Sequence, residues 1–351
     1  MNEPNVKYED LKEFAFKLLT HVGVCHDSAE YVSEGLCDTS LSGIDSHGIK
    51  LLPHYVQGAI KGRINKNPNF EFDLKAHCAG VLNADHSYGH HSGVVAMKKA
   101  IELAKKHGMG AIAVNSSSHF GAAGYFALKA AQEDMVGLSF THADSLMLSK
   151  NSTRPFFGTN PISFCAPVEG EEPFYLDMAT TNVSWNKVMN TAAKGKSLEP
   201  GWAVDENGDE VLDAKVARAL FPSGDYKGFA LSMMVEILCS ILSGAPYGRN
   251  ITSMYKTPIE ESRHLGHFFM AINVEAFQEL DIFKKRMKSM MEELRAEPQK
   301  EGEAVLCPGD PQKQYKKERL ETGIPIFSST WEEFEKLSQE FDIPLPKTVG
   351  A

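Results

Sequence analysis

At 351 residues the chain is too long for a single small binding module, and about two domains is the natural expectation. Its 42% hydrophobic and 23% charged residues suit a folded globular protein and exclude one that is mainly disordered. With 36 basic against 46 acidic residues the net charge is −10, the wrong sign for neutralising a phosphate backbone over a broad face, so nucleic acid is not an expected partner.

From Tyr8 to Val22 the apolar positions Leu11, Phe14, Ala15, Leu18, Leu19 and Val22 follow helical spacing, and Gly23 is a stop. Asp27 is a cap for a second helix running towards Leu41, and a third covers Ile49 to Ile60. A different rhythm follows. Ala79 to Asn83 is strand-like, Ser92 to Lys106 is an amphipathic helix and Gly110 to Val114 is a second strand, which together read as a β-α-β unit. A further helix spans Gly124 to Asp134, and Val136 to Thr180 reads as several short strands broken by Pro, Gly and Asn. The polar stretch from Asn182 to Leu220 reads as loop, with a turn at Asp205-Glu206-Asn207-Gly208. A buried helix is expected from Tyr226 to Leu242, a strand from His267 to Val274, and a helix from Glu275 to Arg295 whose methionine-rich stripe faces a core. Thr330 and Glu333 have capping-box spacing ahead of a terminal helix.

The six cysteines are scattered without a C-x-x-C pair and read as reduced thiols, and the sequence starts without a signal-peptide pattern. The most apolar stretch, Phe229 to Leu242, is too short to span a bilayer and contains Glu236. A cytoplasmic protein with no membrane partner is the expectation, and adjacent His90 and His91 do not make a metal site.

Neither G-x-G-x-x-G nor a P-loop occurs, and the usual hydrolase motifs are absent. Candidate chemistry therefore rests on polar residues beside glycine. In Asp45-Ser46-His47-Gly48 a His beside a hydroxyl suits acid/base work near neutral pH, although a helix cap also explains the pattern. Ser117-Ser118-His119-Phe120-Gly121 falls between a strand end and a helix start, where α/β proteins place ligands. Gly158-Thr159-Asn160-Pro161, Asp177-Met178-Ala179-Thr180, Lys227 and His267-Phe268-Phe269 are weaker candidates singly.

In their order, these segments, with Gly201 to Asp205 and Lys227 to Leu231, resemble the type 2 malate/L-lactate dehydrogenase family, which also includes ureidoglycolate, sulfolactate and diketogulonate oxidoreductases. The resemblance runs over nearly the whole chain. It implies a mixed α/β, non-Rossmann, two-domain fold with a helical N-terminal region. It also implies an NAD- or NADP-dependent enzyme acting on a small 2-hydroxyacid or 2-oxoacid, usually as a homodimer. On this likeness His47 and His119 are the acid/base candidates and Ser46 orients the substrate oxygen. Asp177, Met178, Ala179, Lys227, His267, Phe268 and Phe269 hold the dinucleotide, while Gly158, Thr159 and Asn160 line its nicotinamide end. The family commonly has Arg four residues after the first of these histidines, to grip a carboxylate; here that position is Leu51. Reduction of a cyclic imine or a sugar-derived ketoacid is the alternative activity, and a catalytically silent dinucleotide-binding protein is the alternative class.

The β-α-β unit has too few strands to cover its own sheet, so the chain is expected to cross between domains. Residues 1–74, 122–224 and 307–351 would form a helical unit for substrate and dimerisation, and 75–121 with 225–306 an α/β unit for the cofactor.

Overall fold

A computed structural model describes residues 3–350. The N-terminal helices form where expected, at Tyr8–His21 and His26–Leu41, followed by a short 3-10 turn at Ile49–Leu51 and a helix at Leu52–Ile60. Cys25, not Asp27, occupies the cap of the second helix, and Asp27 sits in its first turn, where a carboxylate complements the helix dipole. Leu11, Leu18, Leu36 and Leu52 are fully buried in one core that also takes Phe334 and Leu337 from the terminal helix, Ser328–Phe341. Chain start and chain end thus share one apolar interior. Phe327 is the cap of that last helix, so Thr330 and Glu333 lie inside it.

The centre is a seven-stranded sheet in the order 71–76, 79–83, 109–117, 265–273, 135–141, 162–166, 174–178. Only 79–83 and 109–117 run parallel, joined by the helix Gly89–His107, so the β-α-β unit forms as read. The long Leu265–Asn273 strand then inserts antiparallel between 109–117 and 135–141. This joins 135–141, 162–166 and 174–178 to segments that the sequence assigns to the other unit, so the sheet crosses the expected boundary at 121/122. The physical reason is pairing: a strand in mid-sheet needs hydrogen-bonding partners on both edges, and 135–141 supplies the second.

Side chains alternate across this sheet. Phe269 and Ala271 pack with Ile112 and Val114 under the Gly89–His107 helix, while Phe268 meets Val235 and Cys239 on the opposite face. The expected buried helix on that face is Tyr226–Glu236 continued by a π turn at Ile237–Ile241, and its outer side is exposed at Tyr226, Met233, Ile237 and Ile241. The helix Leu280–Arg295 behaves similarly: Phe283, Met287 and Met291 pack inward, whereas Met290 and Leu294 are exposed. The stretch 182–220 is more ordered than its polarity implies. It holds a helix, Trp185–Ala193, and three strands of a small second sheet built round Val183, Val188, Trp202 and Leu220. The turn at Asp205 to Gly208 joins two of those strands.

Candidate active site

The strand registers bring several predicted segments to one end of the large sheet. Ser117, Thr141 and Met178 close three strands there, and Ile162 and Leu265 begin the two that run the other way. The loops carrying His119, 158–160 and 179–180 therefore leave from a common edge, the position at which open α/β sheets take ligands. A bulge opposite Leu265–His267 and a positive φ of 52° at Ser116 bend the 109–117 strand just before His119.

The Asp45-Ser46-His47-Gly48 loop lies over this edge. Gly48 is required by a close approach, since a Cβ there would meet Ser40 Oγ at 2.1 Å, and that same oxygen accepts the Ile49 N–H at 2.9 Å. Asp45 is clamped in two hydrogen bonds by Arg319, at 2.6 and 2.9 Å, so this acid anchors the loop to the chain's C-terminal part. The loop is thereby held from both sides. Its His47 ring stacks on His119, with centroids 5.8 Å apart and planes inclined by 21°.

Each ring has one nitrogen fixed. Ser46 Oγ lies 2.8 Å from His47 Nδ1, and Tyr55 Oη lies 2.7 Å from His119 Nδ1. The Tyr55 ring is held in turn by its neighbour Tyr88, whose hydroxyl donates to the Tyr55 carbonyl at 2.7 Å. Asn186 Nδ2 donates to the Ser46 carbonyl at 3.0 Å. Burial lowers His47 to about 4, with Lys50 adding to the effect, and burial followed by the His47 ring holds His119 well below the usual imidazole range. Both are therefore neutral at pH 7, with Nε2 left to meet a ligand. Gly121, at φ 76°, keeps the turn after His119 tight: a Cβ there would meet His90 Nε2 at 2.7 Å.

The remaining predicted residues divide. Lys227 is exposed in the first turn of its helix and has no ion-pair partner among the described residues, and Met178 is also exposed. Gly228 packs against the Thr180 carbonyl, which places Lys227 beside 177–180. By contrast Asn160 is fully buried, and its amide is used internally, by Ala143 N at 3.1 Å, the Ser232 carbonyl at 3.1 Å and Glu236 at 2.8 Å. Gly158 lies hard against Ala143, and the Thr159 carbonyl accepts from Thr180. Asp177 accepts from Gly124 N at 2.7 Å and from Tyr175, and burial raises it to about 6.

His267, also fully buried, is bonded to Thr141 and Ser117 and stacked on Phe120. With Phe269 it belongs to the core, because alternate positions of a central strand point into the helical layer; Phe268 is on the opposite face. Asn160, Asp177, His267, Phe268 and Phe269 thus have their side chains engaged within the fold. Tyr55, His54, Arg63 and Arg263 were not singled out from sequence, yet they line a narrow cleft with His119. No local motif marks them, since they come from a helix and from loops far apart in the chain. Leu51 is buried in the helical core.

The sheet edge carries two neutral, oriented imidazoles, an arrangement suited to moving a proton on and off a small polar ligand. The malate/L-lactate dehydrogenase family model matches residues 6–335. The chain is 34% identical to a malate dehydrogenase of Pyrococcus abyssi over 97% of this chain and 96% of that one. It is 31% identical to an NAD(+) ureidoglycolate dehydrogenase of Escherichia coli O157:H7, over 93% and 94%. Among solved structures it matches malate dehydrogenase from Entamoeba histolytica with a TM-score of 0.93 and 32% identity, covering 98% of this chain and 99% of that one. The chain belongs to the malate/L-lactate dehydrogenase family.

Proposed function

We propose that the protein is an NAD(P)-dependent dehydrogenase that interconverts a malate-like 2-hydroxyacid and its 2-oxoacid. The family match and the relatives' names support the reaction class. The observation that carries the site assignment is the His47–His119 stack with one nitrogen of each ring already engaged.

The donor set suits a dinucleotide. Lys227 offers an unpaired cation at a helix N-terminus for phosphate, next to the exposed Met178 and the small Ala179. When bound, the nicotinamide supplies the acceptor or donor of hydride. The chain's own residues handle the proton. Oxidation of a secondary alcohol needs a base at the hydroxyl, and a neutral imidazole held by Tyr55 or Ser46 presents its other nitrogen for that purpose. In the reverse direction the same ring returns the proton, and its low pKa makes the imidazolium a strong acid. Ser46 acts chiefly by fixing His47.

The apolar outer face of the 226–241 helix supports a homodimer, because Tyr226, Met233, Ile237 and Ile241 would otherwise stay in water. The two-unit organisation is proposed with 135–141, 162–166 and 174–178 moved into the α/β unit, since one sheet joins them to it. Six free cysteines among the described residues suit a reducing compartment such as the cytoplasm.

The test is NADH and NADPH absorbance with a panel of 2-oxoacids, sugar ketoacids and cyclic imines. Turnover of 2-oxoacids is expected; turnover of imines or sugar acids alone would redirect the assignment, and binding of NADH without any turnover would replace it.

A further inference from the structure

Arg63 is 3% exposed, and its guanidinium hydrogen-bonds neutral acceptors, with the carboxylates of Glu260, Glu261 and Asp144 farther off. Nη1 donates to the Met254 carbonyl at 3.0 Å and lies 3.4 Å from His54, while Nη2 donates to the carbonyls of Thr257 and Pro258 at 3.3 and 2.9 Å. Its Nε is buried with no partner, and no carboxylate pairs with it among the described residues. A buried donor is rarely left without a partner, because it has given up its hydrogen bond to water. Arg63 Nε is therefore the donor open to a ligand.

Arg263 shares the same cleft and is 2% exposed. Its Nε donates to the Thr252 carbonyl at 2.7 Å and its Nη2 pairs with Asp144 at 2.9 Å, which leaves Nη1 without a partner among the described residues. His119 and Tyr55 line the cleft between these two side chains and the stacked histidines. Leu51 is packed in the helical core.

We propose that Arg63 and Arg263 form the substrate's carboxylate clamp in this enzyme, holding the acid group across the cleft from His119. The proposal rests on the oxidoreductase reading above and deepens it: the ligand taken here is a small 2-oxoacid or 2-hydroxyacid anion. Two donors from different parts of the chain, one on the 60–65 loop and one before the Leu265–Asn273 strand, meet only in the fold.

The experiment measures binding of oxamate, an anionic 2-oxoacid mimic, and of neutral oxamide to the NADH-loaded full chain by calorimetry. The same titrations are run on Arg63→Gln and Arg263→Gln. Wild type is expected to prefer oxamate by about ten-fold or more, and each variant to lose about that factor while its NADH affinity holds. Turnover of methyl pyruvate should change far less than that of pyruvate, a split that a merely structural role for the arginines would not produce. Equal binding of oxamate and oxamide by wild type overturns the clamp without needing a folded variant, and so does undiminished oxamate affinity in both variants. Arginine-dependent oxamate binding with no NADH oxidation by any 2-oxoacid would uphold the clamp and refute the dehydrogenase reading.

Discussion

Tyr55 Oη and His119 Nδ1 are 2.7 Å apart, and the tyrosine comes from the Leu52–Ile60 helix while the histidine follows a strand of the central sheet. The helical N-terminal region thus orients a ring that the sheet positions. Tyr55→Phe removes one neutral hydrogen bond, worth about 0.5–1.5 kcal/mol, so kcat should fall roughly 2- to 10-fold with NADH affinity unchanged. Steady-state kinetics beside an NADH fluorescence titration checks this.

Asp45 and Arg319 tie the His47 loop to the chain's C-terminal part. Arg319 is 9% exposed but the Asp45 side chain is 24% exposed, so removing the arginine costs about 1.5–3 kcal/mol, the range for hydrogen bonds to a charged group. Arg319→Met should lower the urea midpoint and reduce kcat through the loosened His47, with the smaller effect on NADH affinity. Urea unfolding and kinetics on the same preparation read both.

Lys227 is the exposed cation proposed to meet a cofactor phosphate. Lys227→Ala should weaken NADH or NADPH binding by about 1.5–3 kcal/mol if the contact is charge-assisted, and leave kcat at saturation nearly unchanged. A direct cofactor titration is the check.

Acid should destabilise the fold through its buried imidazoles. Burial lowers His90 and His267 to about 3 and His91 to about 4, all below the ordinary 6.5. A depressed histidine favours the proton-free folded form, so its contribution is complete above about pH 6.5 and is lost as pH falls towards 4 and 3. Asp177, raised to about 6, and Asp38, also raised by burial, act in the opposite sense, but His47, His54, His86 and His119 are lowered as well and outweigh them. The melting temperature should therefore drop between pH 7 and 5. His90→Leu, which removes a ring whose two nitrogens have no partners, should shrink that drop. An unchanged pH dependence in this variant would remove His90 from the explanation.

How much of this was legible depended on the range of the interaction. Helical periodicity placed Leu11, Leu18 and Leu36 in the core, and the β-α-β unit was readable because its pieces are sequential. The strand at 71–76 was missed because all six of its residues are exposed, and the helix at 310–322 because its charged residues leave no apolar stripe. His47 and His119 stood out by their glycine-rich settings. Arg63 and Arg263 did not, because 200 positions separate them and only the folded loops bring them to one cleft. His267 and Phe269 looked like ligand contacts from their motif, but their place on a mid-sheet strand sends them into the core.

The central claim is that the stacked pair His47 and His119 handles the proton of a hydride transfer. It is tested most directly by the turnover of His119→Asn and His47→Asn at saturating NADH and 2-oxoacid, with NADH affinity measured in parallel. Positioned acid/base groups typically contribute about 10²- to 10⁴-fold, so kcat should fall by that order in at least one variant while NADH binds as in wild type. Unchanged turnover in both variants would contradict the account.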